Sequence, residues 1–220
     1  MLVPFSNRVE AGKHLASRLK AYSNRGDVVV LGLPRGGVPV AFEVARLLRA
    51  PLDVCIVRKL GVPGRKELAM GAIGMGGVVV MNPDVIEMWR LSQSEIDRVL
   101  AEEQHELERR DRLYRRGRPA PDLRGKVVVL VDDGIATGAT LRAAISTLRQ
   151  QKPNRIVVAI PVAPQSICEE LEVDVDRVIC LATPEPFFAI GQWYEDFGQT
   201  SDDKVQLLLG KATPAPALSH

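Results

Sequence analysis

Two kinds of hydrophobic pattern alternate along the chain: short runs that are apolar almost throughout, and longer stretches with apolar positions every three or four residues. The short runs are rich in valine and isoleucine, which favours strands covered on both faces of a parallel sheet. The longer stretches have the spacing of helices that cross between such strands. The predicted strands span residues 28–33, 52–57, 78–81, 127–131, 155–161 and 177–181, and the predicted helices residues 39–49, 93–116, 140–151 and 165–172. The pattern predicts an α/β fold with a central, mostly parallel sheet flanked by helices.

Two further segments lie outside this pattern. Residues 1–25 contain one amphipathic helix, and residues 184–210 contain half of the aromatic residues. We expect the two segments to form a small hood over the carboxyl edge of the sheet, where open α/β sheets bind ligands. The expected organisation is a hood helix (1–25), a core (26–183), a second hood segment (184–210) and a tail (211–220).

The longest predicted helix, residues 93–116, begins with Ser92 and Glu95 in the spacing of a capping box. Acidic residues are interleaved with the arginines of its second half, which favours a solvated helix surface over a nucleic-acid patch. The arginines predicted to be exposed are Arg109, Arg110, Arg112, Arg115, Arg116 and Arg118.

Composition indicates an ordinary globular protein of one domain, or one domain with an elaboration: 220 residues, 46% hydrophobic and 25% charged. Lys plus Arg (29) barely exceeds Asp plus Glu (27), so no global field draws the chain to nucleic acid or to a membrane. Any anion must be bound by local groups.

The three cysteines, Cys55, Cys168 and Cys180, lie far apart without a CxxC spacing, which is typical of reduced thiols in a cytosol. Cys55 and Cys180 lie in apolar runs and are expected to be buried. The first residues lack the pattern of a signal peptide, and no apolar run has the length of a membrane span. We expect a cytoplasmic protein.

The sequence VVVLVDDGIATGAT, residues 127–140, predicts a strand, an acidic pair, a small-residue loop and the start of a helix. Loop N–H groups and threonine hydroxyls at a helix N-terminus favour a phosphate. The predicted phosphate-binding residues are Gly134, Ile135, Ala136, Thr137, Gly138, Ala139 and Thr140.

The adjacent carboxylates, Asp132 and Asp133, would repel that phosphate and therefore suit a vicinal diol or a metal ion. A ribose 5-phosphate fits both parts of the motif, because its phosphate suits the loop and its vicinal hydroxyls suit the two acids. A buried strand that ends in a helix cap, or a Walker B strand, is the alternative, but the sequence contains no GxxxxGK[ST] partner motif. An aspartate phosphatase would need D-x-D-x-T, whereas these acids are adjacent.

This segment resembles the binding signature for 5-phosphoribosyl-1-pyrophosphate (PRPP) of the type I phosphoribosyltransferases. Roughly residues 5–208 also resemble a group of uncharacterised bacterial phosphoribosyltransferase-domain proteins, through G-L-P-R-G-G, R-K-L-G-V-P-G and T-P-E-P-F. The resemblance implies the type I phosphoribosyltransferase fold, a 5-phosphate on the loop after the acids, and Mg²⁺ as cofactor. Asp132 and Asp133 would fix the ribose and hold the Mg²⁺, directly or through water.

A second loop, Pro34, Arg35, Gly36 and Gly37, follows the first predicted strand. Its glycines permit close approach to an anion, and Arg35 offers a forked donor, although R-G-G alone also fits a tight turn. The resemblance implies that this loop binds pyrophosphate and that the Pro34–Arg35 peptide bond is cis.

Residues 59–77 are interpreted as a long, mobile loop, either a plain hairpin-like excursion or the catalytic lid that the resemblance implies. Its candidate cations, with the residue that precedes it, are Arg58, Lys59, Arg65 and Lys66, and the acting one stays open. Phe188 and Trp193 are candidates to stack on a base, although the aromatic run fits core packing equally well.

The motif and the resemblance together imply Mg²⁺-dependent transfer of the 5-phosphoribosyl group from PRPP to a nitrogenous base, such as a purine, and release of pyrophosphate. The predicted partners are PRPP, pyrophosphate and a small heterocyclic base, without nucleic acid or membrane, and the long helix and the resemblance favour a homodimer. The alternatives are a non-catalytic PRPP or nucleotide sensor and a hydrolase of phosphoribosyl compounds. The predicted catalytic residues are Asp132, Asp133, Arg35, Arg58, Lys59, Arg65 and Lys66.

Overall fold

The computed structural model describes residues 4–212, apart from the side chain of Glu67. Residues 1–3 of the expected hood and residues 213–220 of the expected tail lie outside the described residues. Within residues 4–212, no helix is long and apolar enough to cross a membrane.

The described part of the chain contains strands in two sheets. The strands are β1 (Val28–Gly32), β2 (Leu52–Val54), β3 (Val57–Val62), β4 (Arg65–Gly74), β5 (Val78–Met81), β6 (Val127–Val131), β7 (Arg155–Val162) and β8 (Arg177–Ala182). The central sheet is parallel, has the order β2-β1-β6-β7-β8, and pairs Val28 with Val127 and Gly32 with Val131. All residues of β1 and β6 are buried, as expected for strands covered by helices on both faces.

The α-helices are α1 (Arg8–Arg18), α2 (Gly37–Leu48), α3 (Pro83–Met88), α4 (Gln93–Arg115), α5 (Ala139–Gln150), α6 (Gln165–Leu171) and α7 (Asp202–Lys211). Polar side chains define several starts: Asn7 accepts from the backbone N–H groups of Val9 and Glu10, and Ser92 forms the predicted capping box with Glu95. α3 and α7 were not predicted from the sequence, although Ser201 caps α7 by accepting from the N–H of Lys204 at 3.1 Å.

The second sheet corrects two strand predictions. The apolar run 52–57 is not one strand: β2 ends at Val54 in the parallel sheet, and β3 begins at Val57 in an antiparallel sheet of order β3-β4-β5. Residues 78–81 join this second sheet as β5. The run of apolar residues carries no signal for a change of sheet, and that is why the prediction was wrong. Gly64, with φ of 77°, lies in the turn between β3 and β4, a backbone conformation that favours glycine.

Arg115, predicted to be exposed, is buried at the end of α4, with 2% of its surface accessible. Its Nε donates to Oδ2 of Asp53 in β2 at 3.0 Å, and its Nη2 donates to the carbonyl oxygen of Val54 at 3.1 Å. A charge is buried only when it is paired, so Asp53 accounts for the correction. The pair ties α4 to the edge strand of the parallel sheet.

The N-terminal segment pairs with the aromatic segment after β8. The N–H of Phe5 donates to the carbonyl oxygen of Trp193 at 2.9 Å, and the N–H of Glu195 donates to the carbonyl oxygen of Phe5 at 2.8 Å. Tyr194 stacks on Phe197 with ring centroids 4.9 Å apart. These contacts join the two segments that the sequence predicts as the hood.

Candidate active site

Two loops meet at the carboxyl edge of the parallel sheet, because they follow the neighbouring strands β1 and β6. The N–H of Leu33 donates to the carbonyl oxygen of Val131 at 2.9 Å. A Cβ atom added to Gly37 would lie 2.7 Å from that same oxygen and 2.8 Å from Cα of Asp132. Only glycine permits this approach, so the predicted pyrophosphate loop packs directly on the predicted sugar-binding acids.

The peptide bond between Pro34 and Arg35 is cis, as the family resemblance implies. The Arg35 side chain lies at the rim of the loop, where its Nη1 is 4.0 Å from Oδ1 of Asp202 at the start of α7, and both side chains are 39% exposed. The hydroxyl of Tyr114 donates to the same Asp202 oxygen at 2.6 Å. The guanidinium is therefore accessible to a ligand at the edge of the site.

The predicted phosphate loop is partly packed and partly open. Gly134 and Ile135 are buried, and the N–H of Ile135 donates to the carbonyl oxygen of Val162 at 3.0 Å. Ala136, Thr137 and Thr140 are exposed, whereas Gly138 is buried and precedes α5 with φ of 73°. Among the described residues, the backbone N–H groups of residues 136–138 have no hydrogen-bond acceptor. These donors lie beside the N-terminus of α5, the arrangement that favours an anion.

The two acids at the end of β6 have different environments. Oδ1 of Asp132 accepts from the backbone N–H of Asp133 at 2.9 Å. Burial, and then the charge of Asp133, raise the pKa of Asp132 well above its ordinary value. Asp133 is only 8% exposed, and its Oδ2 accepts from Nε of Arg8 at 2.8 Å.

Two residues that contact Asp133 were not predicted from the sequence. One is Arg8, and the other is Tyr194, whose buried hydroxyl donates to the backbone carbonyl oxygen of Asp133 at 2.6 Å. Burial is the main cause that raises the pKa of the Tyr194 hydroxyl, so it stays protonated as a donor. An arginine in the first turn of the predicted N-terminal helix was the available signal, because a cation there opposes the helix dipole.

The predicted lid is not a long irregular loop. Residues 57–74 form the β3–β4 hairpin, followed by a 3₁₀ turn (Met75–Gly77), so the segment has regular secondary structure, and its role as a lid stays a prediction. Nε of Arg58 donates to Oε2 of Glu103 in α4 at 2.6 Å. The Arg65 guanidinium lies 4.5 Å from the ring centroid of Trp89.

Three of the predicted lid cations, Arg58, Lys59 and Lys66, line one cavity of about 340 Å³ between the hairpin and α4. No residue of the two loops at the sheet edge lines this cavity. The structure therefore brings these three cations together against α4, in a cavity separate from the two loops at the sheet edge.

The two candidate base-stacking residues lie in different surroundings. Phe188 is 75% exposed, whereas Trp193 packs in an apolar cluster with Tyr194. Trp193 also lines a cavity of about 440 Å³ with Phe5 and His14, and this cavity contains no residue of the two loops. Its indole Nε1 is buried without an acceptor in the described part of the chain. Instead, Ile190 approaches the site: its Cγ2 would lie 2.5 Å from a Cβ atom on Gly134.

The acids of the site determine how Mg²⁺ could bind there. Within residues 4–212, no group of three or more His, Cys, Asp or Glu residues is arranged to hold a metal ion. Mg²⁺ is usually bound through one or two carboxylates, water and substrate phosphates. The pair of Asp132 and Asp133 fits a Mg²⁺ that arrives with a phosphorylated substrate.

The chain is similar to curated proteins that are named as phosphoribosyl transferases. "Putative phosphoribosyl transferase MT0597" and "Putative phosphoribosyl transferase Rv0571c", from two strains of Mycobacterium tuberculosis, are each 51% identical over 208 residues. The match covers 94% of this chain and 47% of each relative, so the chain spans about half the length of these curated proteins.

The crystal structure of TT1426 from Thermus thermophilus has a TM-score of 0.87 and 43% identity, covering 96% of this chain and 100% of that one. The structure of AQ2163 from Aquifex aeolicus, with a TM-score of 0.51 and 14% identity over 84% of this chain and 76% of that one, shows a similar fold alone. The model of the phosphoribosyl transferase domain matches residues 5–192. The predicted type I phosphoribosyltransferase fold is confirmed, and the chain belongs to the phosphoribosyl transferase domain family.

Proposed function

We propose that the protein transfers the 5-phosphoribosyl group of PRPP to a nitrogenous base and releases pyrophosphate, with Mg²⁺ as cofactor. One observation carries the proposal: the glycines of the loop after β1 pack directly on the acids after β6. Gly36 and Gly37 are the residues of closest approach. A diphosphate site and a sugar site are thereby adjacent, as PRPP requires.

Each part of PRPP has a matching group in the described residues. The 5-phosphate suits the free N–H groups of residues 136–138 and the exposed hydroxyls of Thr137 and Thr140. The diphosphate suits the amides of Gly36 and Gly37 with the exposed guanidinium of Arg35. The acidic pair between these two groups suits the ribose hydroxyls.

Departure of pyrophosphate builds positive charge on C1 of the ribose and negative charge on the leaving group, as in glycoside cleavage. Arg35 and the glycine amides would stabilise the leaving charge as a preorganised electrostatic site. Asp132 and Asp133 would hold a Mg²⁺ ion, which would supply further neutralisation of the diphosphate. The β3–β4 hairpin is proposed to close as the lid, so that one of its cations joins the site and water is excluded. The acting cation is one of Arg58, Lys59, Arg65 and Lys66.

The base is proposed to bind under the hood, with purines as the first class to test. The exposed ring of Phe188 offers a free face for stacking. Trp193 is the weaker choice, because its ring lines a cavity apart from the two loops. The hood is proposed as residues 1–25 and 184–210 around a core of residues 26–183, supported by the pairing of Phe5 with the aromatic segment. The free thiols of the described cysteines support a cytoplasmic location.

The first test is calorimetry of PRPP binding with and without Mg²⁺, for the wild type and for Asp132→Asn. We expect binding that depends on Mg²⁺ and is lost in the variant. A screen of purine and pyrimidine bases for pyrophosphate release then identifies the acceptor. Binding without release for any base would favour the PRPP or nucleotide sensor, and release without a base would favour the hydrolase. If the wild-type protein is folded but does not bind PRPP, the proposed function is wrong.

A further inference from the structure

The carboxylate of Asp133 is already occupied by a cation of the same chain. Nε and Nη2 of Arg8 each lie 2.8 Å from Oδ2 of Asp133, and the two side chains are each 12% exposed. On its other side the carboxylate packs against Gly36, where a Cβ atom would lie 2.0 Å from Oδ2. Asp133 is therefore enclosed between the N-terminal helix and the predicted pyrophosphate loop.

The guanidinium of Arg8 is fixed by further contacts. Its Nη1 donates to the carbonyl oxygen of Gly198 at 2.8 Å, and its Cζ lies 4.0 Å from the ring centroid of Phe197. The backbone beside it is anchored too, because the N–H of Asp196 donates to the carbonyl oxygen of Ser6 at 3.0 Å. Arg8 thus joins both hood segments to the acidic pair.

Arg8 is the first residue of α1, where the helix dipole disfavours a cation. Burial of an arginine is also unfavourable unless a partner compensates for the lost water. Asp133 is that partner, in an ion pair between residues 125 positions apart in the sequence. A partner so placed restrains Asp133 from turning towards a ligand.

Asp132 is in a different position. It is more exposed than Asp133. Its Oδ1 accepts from the N–H of Asp133, and its carboxyl group also contacts the side chain of Asp133. No cation of the described residues is paired with this carboxylate, and a carboxylate has lone pairs enough to accept from a sugar hydroxyl or a hydrated Mg²⁺ as well. Because the two carboxyl groups are in contact, the position of the Asp133 side chain influences the orientation of Asp132.

We propose that the two acids have separate roles: Asp132 contacts the ribose and its Mg²⁺, while Arg8 and Asp133 form a latch that holds the hood on the pyrophosphate loop and positions Asp132. This inference rests on the proposed function and deepens it. Arg8 is a positioning residue, since it acts through Asp133. The latch explains why an N-terminal helix far from the motif in sequence is part of the sugar-phosphate site.

The test compares MgPRPP affinity by calorimetry with thermal unfolding for Arg8→Ala, Arg8→Lys, Asp133→Asn and Asp132→Asn. We expect Asp132→Asn to abolish binding while the fold persists. Arg8→Ala and Asp133→Asn should each weaken MgPRPP binding about 10- to 100-fold. Each tenfold loss of affinity corresponds to about 1.4 kcal/mol of binding free energy. Arg8→Lys should restore part of the affinity, because the charge remains but the forked geometry does not.

A double variant separates the latch from a general loss of stability. Arg8→Ala with Asp133→Asn should cost little more than either change alone, in affinity and in unfolding temperature, because both remove one interaction. The control is Arg25→Ala, which removes an arginine paired with Asp27 on the surface, where both side chains are 42% exposed. It should leave MgPRPP affinity unchanged.

Two results would overturn the separate roles. One is an Asp133→Asn variant that loses binding as completely as Asp132→Asn, and the other is an Arg8→Ala variant that binds MgPRPP as well as the wild type or better. If the wild type binds no MgPRPP, the proposed function and the role of Asp132 fail together. The unfolding data would still decide the latch, since additive effects of Arg8→Ala and Asp133→Asn would contradict it.

Discussion

Gly36 and Asp133 are in contact so close that no side chain fits between them: a Cβ atom on Gly36 would lie 2.0 Å from Oδ2 and 2.6 Å from Cγ of Asp133. The φ of Gly36 is −63°, which any residue adopts, so the requirement for glycine is steric. We predict that Gly36→Ala displaces the carboxylate, lowers the unfolding free energy by about 1–3 kcal/mol and weakens MgPRPP binding. Calorimetry and chemical denaturation measure both effects.

The matched control is Gly26→Ala, because an added Cβ atom at Gly26 meets nothing within 4 Å. This variant should be as stable as the wild type and bind MgPRPP equally. Equal behaviour of the two variants would show that the contact between Gly36 and Asp133 does not constrain the site.

The raised pKa of Asp132 predicts that this acid costs stability. Between the ordinary value of 3.8 and the raised folded value, the folded state binds a proton that the unfolded state has lost. The contribution of Asp132 to the unfolding free energy is therefore most favourable at low pH. It decreases as the pH rises through the pKa of the folded state. We predict that Asp132→Asn raises the unfolding temperature by a few degrees at neutral pH, since Asn retains an acceptor for the N–H of Asp133.

Thermal unfolding from pH 4 to pH 8 tests this prediction. The difference between Asp132→Asn and the wild type should shrink towards pH 4, because the wild-type carboxyl group then carries its proton. A variant that is less stable at neutral pH, or a difference that does not change with pH, would contradict the burial of an unfavourable charge.

The sequence predicted the parts of the site that are local. The acids, the loop of residues 134–140 and the start of α5 lie in one run of the chain, and the loop of residues 34–37 follows a strand recognisable by its apolar residues. Adjacency of the two loops follows from the parallel order of β1 and β6. Local spacing and a general rule for α/β sheets were sufficient here.

The missed parts depend on pairs that are distant in sequence. Arg8 contacts Asp133 across 125 positions, and Tyr194 contacts it across 61. The spacing of apolar residues along the chain gives no information about pairs of residues that are so distant in sequence. The change of sheet after Val54 was missed for another reason, because Val57 continues the same apolar pattern while its hydrogen bonds pass to β4.

The hydroxyl of Tyr194 is predicted to stabilise the loop that carries the acids. Tyr194→Phe keeps the stacking on Phe197 but leaves the buried carbonyl oxygen of Asp133 without this donor. We expect a loss of about 1–3 kcal/mol in the unfolding free energy, the usual cost of an unsatisfied buried polar group. Tyr22→Phe is the control: Tyr22 is 6% exposed, and its hydroxyl has no hydrogen bond among the described residues. Equal losses in the two variants would argue against a specific role for the bond.

Glu103 is predicted to hold the hairpin away from the site through Arg58. Both side chains are partly exposed, so Glu103→Gln should change the unfolding free energy by less than about 1 kcal/mol. If Arg58 is the acting lid cation, Glu103→Gln frees its side chain and should raise the rate at which pyrophosphate is formed. Arg58→Ala should lower that rate. Glu102→Gln is the control, because Glu102 pairs with Arg98 at the surface. Unchanged rates in both Glu103→Gln and Arg58→Ala would exclude Arg58 and leave the other lid cations.

Phe188 and Trp193 are distinguishable by their different surroundings. Phe188→Ala removes a ring that is 75% exposed, so the unfolding free energy should change by less than about 0.5 kcal/mol. If the ring stacks on the base, its loss costs about 1–3 kcal/mol of base binding, which raises KM for the base and leaves PRPP affinity unchanged. Trp193→Ala should instead destabilise the fold, because its ring packs in the cluster with Tyr194. A higher KM for the base in Trp193→Ala at full stability, with no effect of Phe188→Ala, would reverse the assignment and place the base at the cavity beside α1.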